Sequence, residues 1–191
     1  EPNTLFAAKP PQGIPEMDDA WDMQERCIEL IHAHGYGQYE VSAYAKPGKR
    51  CQHNLNYWQY GDYLGIGAGA HGKISSGASG GILRRWKPKN PREFIASAGT
   101  QQGIGGNEII KPNARPFDYM LNTLRLVDGF SLNDFEYRTG LDRAVIHDKL
   151  KQAIEANWLE QNSDWIKPTE LGMRFANDVM GLFLDDHKPQ T

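Results

Sequence analysis

Apolar and polar residues along the chain fall into two textures that meet near the middle. Three prolines and a glycine between Lys9 and Pro15 predict an irregular start. From Glu16 to Ala33, Trp21, Ile28 and Ile31, with Gln24 and Cys27 between them, form a mixed stripe at helical spacing. Asp18 and Asp19 sit in the first turn, where negative charge favours the positive end of the helix dipole. A helix over 16–33 is predicted, with Cys27 as a small core residue, stopped by Gly35-Tyr36-Gly37. Gln38 to Tyr44 alternates around β-branched Val41 and predicts a strand, and Lys46-Pro47-Gly48-Lys49 predicts a turn. An aromatic loop through Trp58 follows, then a second strand around Tyr63 to Gly67. Lys73 to Trp86 predicts a hairpin with a glycine-rich tip at 75–81, and Asn90-Pro91 opens a short helix.

Between Gly99 and Pro112 the chain is polar and punctuated by glycine, the pattern of a linker and a domain boundary. Beyond it, Phe117, Met120, Leu121, Leu124 and Val127 share one face of a helix over 116–127, ended by Gly129. Ser131, with Asp134 three residues on, predicts a capped short helix through Tyr137. Val145, Ile146, Leu150, Ala153 and Ile154 define a third helix over 142–157. Two short strands, 158–161 and 165–167, flank Asn162-Ser163-Asp164, and Thr169 caps a last helix reaching Leu184. This is the order of a winged helix. The predicted architecture is an α/β part over residues 1–100 and a helical, winged-helix-like domain over residues 113–187.

At 191 residues the chain is long enough to bury a core in one or two domains. With 39% hydrophobic and 24% charged residues it has the balance of an ordinary soluble protein. A net charge of −3 gives no global pull toward nucleic acid or anionic membrane. No apolar run approaches bilayer length, and Glu1-Pro2-Asn3-Thr4-Leu5-Phe6 lacks the basic and apolar regions of a signal peptide. Two cysteines make no disulfide framework, so a cytoplasmic location is expected. A winged helix raises DNA binding as an alternative. In the third helix, however, Arg143, His147, Lys149 and Lys151 face Asp142, Asp148 and Glu155, and the wing carries no cation. Phosphate binding rests on released counterions, so no nucleic-acid partner is expected.

Candidate chemistry concentrates in Cys51-Gln52-His53-Asn54-Leu55-Asn56-Tyr57-Trp58. A neutral imidazole beside large aromatics suits an axial ligand to haem iron. The residues alone favour a plainer reading, a loop whose His and Asn bond backbone while Tyr57 and Trp58 fill core. Cys51 beside His53 offers two metal ligands, too few for a structural zinc site. Gly65-Ile66-Gly67-Ala68-Gly69-Ala70-His71-Gly72 suits close approach of backbone to a ligand, but its spacing is not that of a dinucleotide turn. Arg84, Arg85, Lys87, Lys89 and Arg92 read as a solvated basic surface that is also able to hold a propionate or phosphate.

Together these strings resemble the HemW-type radical S-adenosylmethionine proteins, relatives of oxygen-independent coproporphyrinogen III oxidase. His53-Asn54-x-x-Tyr57-Trp58 is similar to the haem-binding string of that family's haem chaperones. The resemblance implies His53 as the ligand to haem iron, Tyr57 and Trp58 as shapers of the haem pocket, and haem-accepting proteins as partners. It implies S-adenosylmethionine contacts through the backbone of Ala45 and His71. Residues 1–6 and 39–45 look like late strands of a radical S-adenosylmethionine barrel, and the carboxy-terminal helices like a HemN-type C-terminal domain. The family's Cys-x-x-x-Cys-x-x-Cys motif for a 4Fe–4S cluster is absent, since Cys27 and Cys51 are the only cysteines. The chain is therefore expected to be a catalytically inert C-terminal fragment, a partial barrel whose open sheet edge permits a homodimer. The alternative function within the family is coproporphyrinogen oxidation, in which S-adenosylmethionine yields a radical that leads to propionate decarboxylation.

Overall fold

The structure, a computed structural model, describes residues 4–76 and 81–184. Of residues 1–6, where the resemblance implied a late barrel strand and loop, 1–3 lie outside the described residues; Thr4 accepts a hydrogen bond from Ala7 N and closes one helical turn, α1 (Leu5–Ala8). Helix α2 (Met17–Ala33) lies where its stripe predicted. None of its residues is buried, and Cys27, expected in the core, is exposed. The described chain lays no second layer across the stripe. Its contacts are peripheral: the Arg174 guanidinium over the Trp21 ring at 4.9 Å, and His32 edge-on to Tyr44 at 6.3 Å.

The strand predicted over 38–44 is a tight hairpin instead, β1 (Gly37–Glu40) antiparallel to β2 (Ala43–Ala45), with a bulge between Gln38 and Glu40. Side chains close its turn: Gln38 donates to Val41 O, and Glu40 Oε1 accepts from Ser42 N and Oγ at 3.1 and 3.0 Å. Such local bonds compete with a continuous ladder. The aromatic loop is also corrected, to a helix, α3 (Gln52–Trp58). The second strand, predicted over 63–67, shrinks to one bridge between Tyr63 and Lys73.

β3 (His71–Ser76) and β4 (Gly81–Trp86) form the predicted hairpin, though the strands run further toward its tip than expected; residues 77–80 lie outside the described residues. Helix α4 (Pro91–Ser97) is capped by Asn90, which accepts from Arg92 N at 2.9 Å. The polar segment read as a linker supplies a strand, β5 (Gly106–Ile109), paired with β4 from Leu83↔Ile109 to Trp86↔Gly106. Gly106 makes this pairing possible, because a Cβ there would lie 2.3 Å from the Trp86 ring.

The second half is a winged helix in topology. α5 (Arg115–Thr123) is shorter than predicted and buries Tyr119, Met120 and Thr123, while Leu121 faces solvent. β6 (Phe130–Ser131) leads into α6 (Leu132–Thr139), capped by Ser131 as predicted and closed by Gly140 at φ +69°. A 3-10 turn precedes α7 (His147–Glu155); β7 (Leu159–Asn162) and β8 (Trp165–Pro168) form the wing, with sheet order β6-β8-β7. The last predicted helix breaks at Phe175 into α8 (Glu170–Arg174) and α9 (Ala176–Gly181). The core centres on Met120, Phe135, Ile146, Ala153 and Ile166, and Tyr60 and Ile82 from the first half are packed into it. Among the described residues the strands form three small open sheets and no closed barrel.

Candidate functional site

Gln-His-Asn-Leu-Asn-Tyr-Trp contains few strong helix formers, so α3 depends on what its side chains reach. Asn54 Nδ2 donates to the Tyr39 hydroxyl at 3.3 Å, tying α3 to β1. Asn56 Nδ2 donates to Asp62 O at 3.0 Å, and Gly61 N donates to Asn56 O at 2.7 Å, which closes the helix end. Gly61 permits this, since a Cβ would fall 2.2 Å from Asn56 Oδ1.

The three residues singled out on α3 then point to different surroundings. His53 is exposed, and its ring meets Tyr57 one turn later, edge-on at 4.9 Å. Tyr57 in turn leans on Tyr63 at 4.2 Å, so His53, Tyr57 and Tyr63 form a short aromatic row. The His53 imidazole has no hydrogen-bond partner among the described residues, which leaves both ring nitrogens available. Trp58 turns away from this row: the Arg125 guanidinium lies 4.3 Å over its ring, and its indole N–H is buried without a hydrogen-bond partner among the described residues. The structure thus brings His53 and Tyr57 together and places Trp58 against the second half.

Ala45, at the end of β2, borders a separate concavity of about 730 Å³ with His32, Tyr36, Lys46, Arg50 and Leu55. Lys46 Nζ lies 5.3 Å over the Tyr36 ring. His71 is not among the residues around it; it opens β3, exposed, and stacks on Trp86 at 6.0 Å. Of the glycines before His71, Gly65 serves a close backbone approach, since a Cβ there would fall 2.2 Å from His71 O, whereas Gly67 has open space around it.

Sequence reasoning missed the charged groups that hold this region. Lys73, 3% exposed, donates to Asp62 Oδ1 at 3.0 Å, and its ammonium sits 4.1 Å over the Tyr60 ring. Burial pushes the Lys73 pKa down, while Asp62 partly offsets that shift. Asp62 itself is held below the usual carboxylate range: burial opposes this, but bonds from Ser75 N, Lys73 and Ser75 Oγ outweigh it. Tyr60 donates to Asp118 at 2.5 Å, and Arg84 pairs with the other oxygen of the same carboxylate. Arg84 is therefore half-buried and engaged in an ion pair, not a freely solvated member of a basic face. Burial and the Asp118 carboxylate drive the Tyr60 hydroxyl pKa strongly upward. No local pattern marks Asp118 or Arg125, because their partners lie 58 and 85 residues away. Among the described residues no three His, Cys, Asp or Glu side chains group as a metal site, and no helix is long and apolar enough to cross a membrane.

Behind the α/β first half that carries α3, residues 110–175 match the HemN C-terminal domain family. The solved coproporphyrinogen III oxidase HemN of Escherichia coli, a radical SAM enzyme, shares the fold at a TM-score of 0.63 over 88% of this chain and 42% of that one, with 13% identity. Sequence likeness is closer to the heme chaperone HemW. The chain is 42% identical to that of Escherichia coli over 96% of its own length and 39% identical to that of Haemophilus influenzae over 97%. The chain is thus similar to these heme chaperones over nearly its whole length, and it spans 47% of the length of both relatives.

Proposed function

We propose that the protein binds haem and passes it to haem-accepting proteins, with His53 as the ligand to haem iron and Tyr57 and Trp58 shaping the site. The observation that carries this reading is an exposed imidazole with free ring nitrogens, backed by an aromatic ring, on the helix formed by the His-Asn-x-x-Tyr-Trp string. A neutral imidazole with an unshared ring nitrogen is the chemistry haem iron takes up. The heme chaperone relatives at 42% and 39% identity support it.

The wider reading is organised around the same site. Residues 1–100 serve as the ligand-facing part, and residues 113–187 form a HemN-type C-terminal domain. S-adenosylmethionine is assigned to the backbone of Ala45 and His71; the concavity of about 730 Å³ beside Ala45 has the size of a nucleoside site and supports the Ala45 contact, while His71 lies outside its lining. A 4Fe–4S cluster belongs to the whole protein, and its ligands come from outside this chain, whose two exposed cysteines are too few to hold it. The protein works in the cytoplasm, and open sheet edges allow it to pair as a homodimer.

Coproporphyrinogen oxidation is the weaker reading, since its support is a likeness of fold at 13% identity. The test uses the full-length protein loaded with haem. Mixed with an apo-haemoprotein, it gives up its haem, read as a Soret shift, and does not consume coproporphyrinogen III when supplied with S-adenosylmethionine and reductant. Turnover of coproporphyrinogen without haem transfer would overturn the proposal.

A further inference from the structure

Three observations converge on Trp58. Its ring lies under the Arg125 guanidinium at 4.3 Å. Arg125 in turn pairs with Glu40 at 3.3 Å, and Glu40 is 2% exposed. Around this pair the backbones are stitched together: Val41 N donates to Arg125 O at 3.0 Å, Val127 N donates to Tyr39 O at 3.2 Å, and Glu40 bridges Leu126. Arg125 therefore follows the first helix of the winged-helix half, yet it is clamped between β1 and the last residue of α3.

The chemistry of the clamp is directional. A carboxylate as buried as Glu40 requires its cation, because an unpaired charge in that position is heavily penalised. The cation is thereby fixed, and its free face covers an indole, the aromatic ring that attracts cations most strongly. Trp58 contributes its ring face to this contact, since its N–H has no partner among the described residues. His53 lies on the same seven-residue helix, five residues earlier. A helix of two turns with weak intrinsic propensity holds its direction only through such anchors.

We propose that Trp58 is a positioning residue: through the Arg125–Glu40 pair it fixes α3, and hence the His53 imidazole, on the C-terminal half. This departs from Trp58 as a direct wall of the haem pocket, and its consequence for haem rests on the function proposed above.

The test has two readouts on the 191-residue chain. Amide exchange across residues 52–58, measured without haem, reports the clamp alone. Trp58→Leu and the charge-balanced pair Glu40→Gln/Arg125→Met both speed exchange there, and the triple variant adds nothing further. The balanced pair leaves no stranded buried charge, so the fold survives the change. In haemin titrations, Trp58→Leu and the balanced pair weaken binding by the same factor, roughly five- to thirty-fold, the range of a desolvated cation–π contact. The Soret position stays that of the wild type, because the ligand is retained. Unchanged exchange in the balanced pair would overturn the proposal. So would haem binding that Trp58→Leu weakens and the balanced pair does not, since Trp58 would then touch haem itself. If His53→Ala binds haem as the wild type does, the haem reading fails, while the exchange data still decide the clamp.

Discussion

Tyr60 sits just past α3 at φ +58°, with its hydroxyl on Asp118 and its ring beneath the Lys73 ammonium. A non-glycine residue in the left-handed region carries strain, and here tertiary contacts hold it in place. Replacing Tyr60 with Phe keeps the ring and removes the donor to a buried carboxylate. The expected cost is about 1–3 kcal/mol, read as a lower urea midpoint with an unchanged slope. A midpoint equal to the wild type would mean that Arg84 alone satisfies Asp118. At this scale the sequence was legible where a residue acts on its neighbours. Ser131 caps α6 as its spacing to Asp134 predicted, because cap chemistry is written within a few positions. Cys27, Asp118 and Arg125 were not legible, since burial and ion pairing depend on segments far along the chain.

The winged-helix elements are locked together by Arg143. It donates from Nε and its backbone N to Glu136 Oε1, at 3.0 and 3.1 Å, and pairs with Asp164 in the wing at 2.6 Å. These bonds pull the Glu136 carboxyl down to about 2 from an ordinary 4.5. A depressed carboxyl pKa adds stability that is complete above the unfolded value and lost as pH falls through the folded one. The stability difference between wild type and Glu136→Gln is therefore constant above about 4.5 and vanishes as pH drops toward about 2, followed by acid titration at low salt. A difference that grows on acidification would contradict this sign. The same network occupies Arg143, which lies in the 3-10 turn ahead of α7, and within α7 Lys151 faces Glu155 at 3.9 Å. Duplex DNA should show no saturable binding even near ~50 mM salt, where phosphate contacts are strongest; salt-dependent binding lost in Arg143→Ala would overturn that. Element types were readable where periodicity was long, as in α2 and α7. They were missed where tertiary contacts decide: α3 relies on Tyr39 and Arg125, and β5 on strand β4 more than twenty residues earlier in the chain.

Across the whole molecule the two textures of the sequence share one core, because Tyr60, Ile82 and Ile110 pack with Phe135 and Ile146. The change of texture near residue 100 was legible, but the packing across it was not, since β5 and the Tyr60–Asp118–Arg84 cluster are non-local. At this junction Arg125 of the second half packs over Trp58, the last residue of α3. The proposed haem transfer requires α3 to present His53 to haem iron. Haemin titrated into the chain and into its His53→Ala variant, followed by Soret absorbance, tests it most directly. Saturable binding is expected, weakened by at least about tenfold or shifted in wavelength by the substitution. Superimposable curves for the two proteins would contradict it.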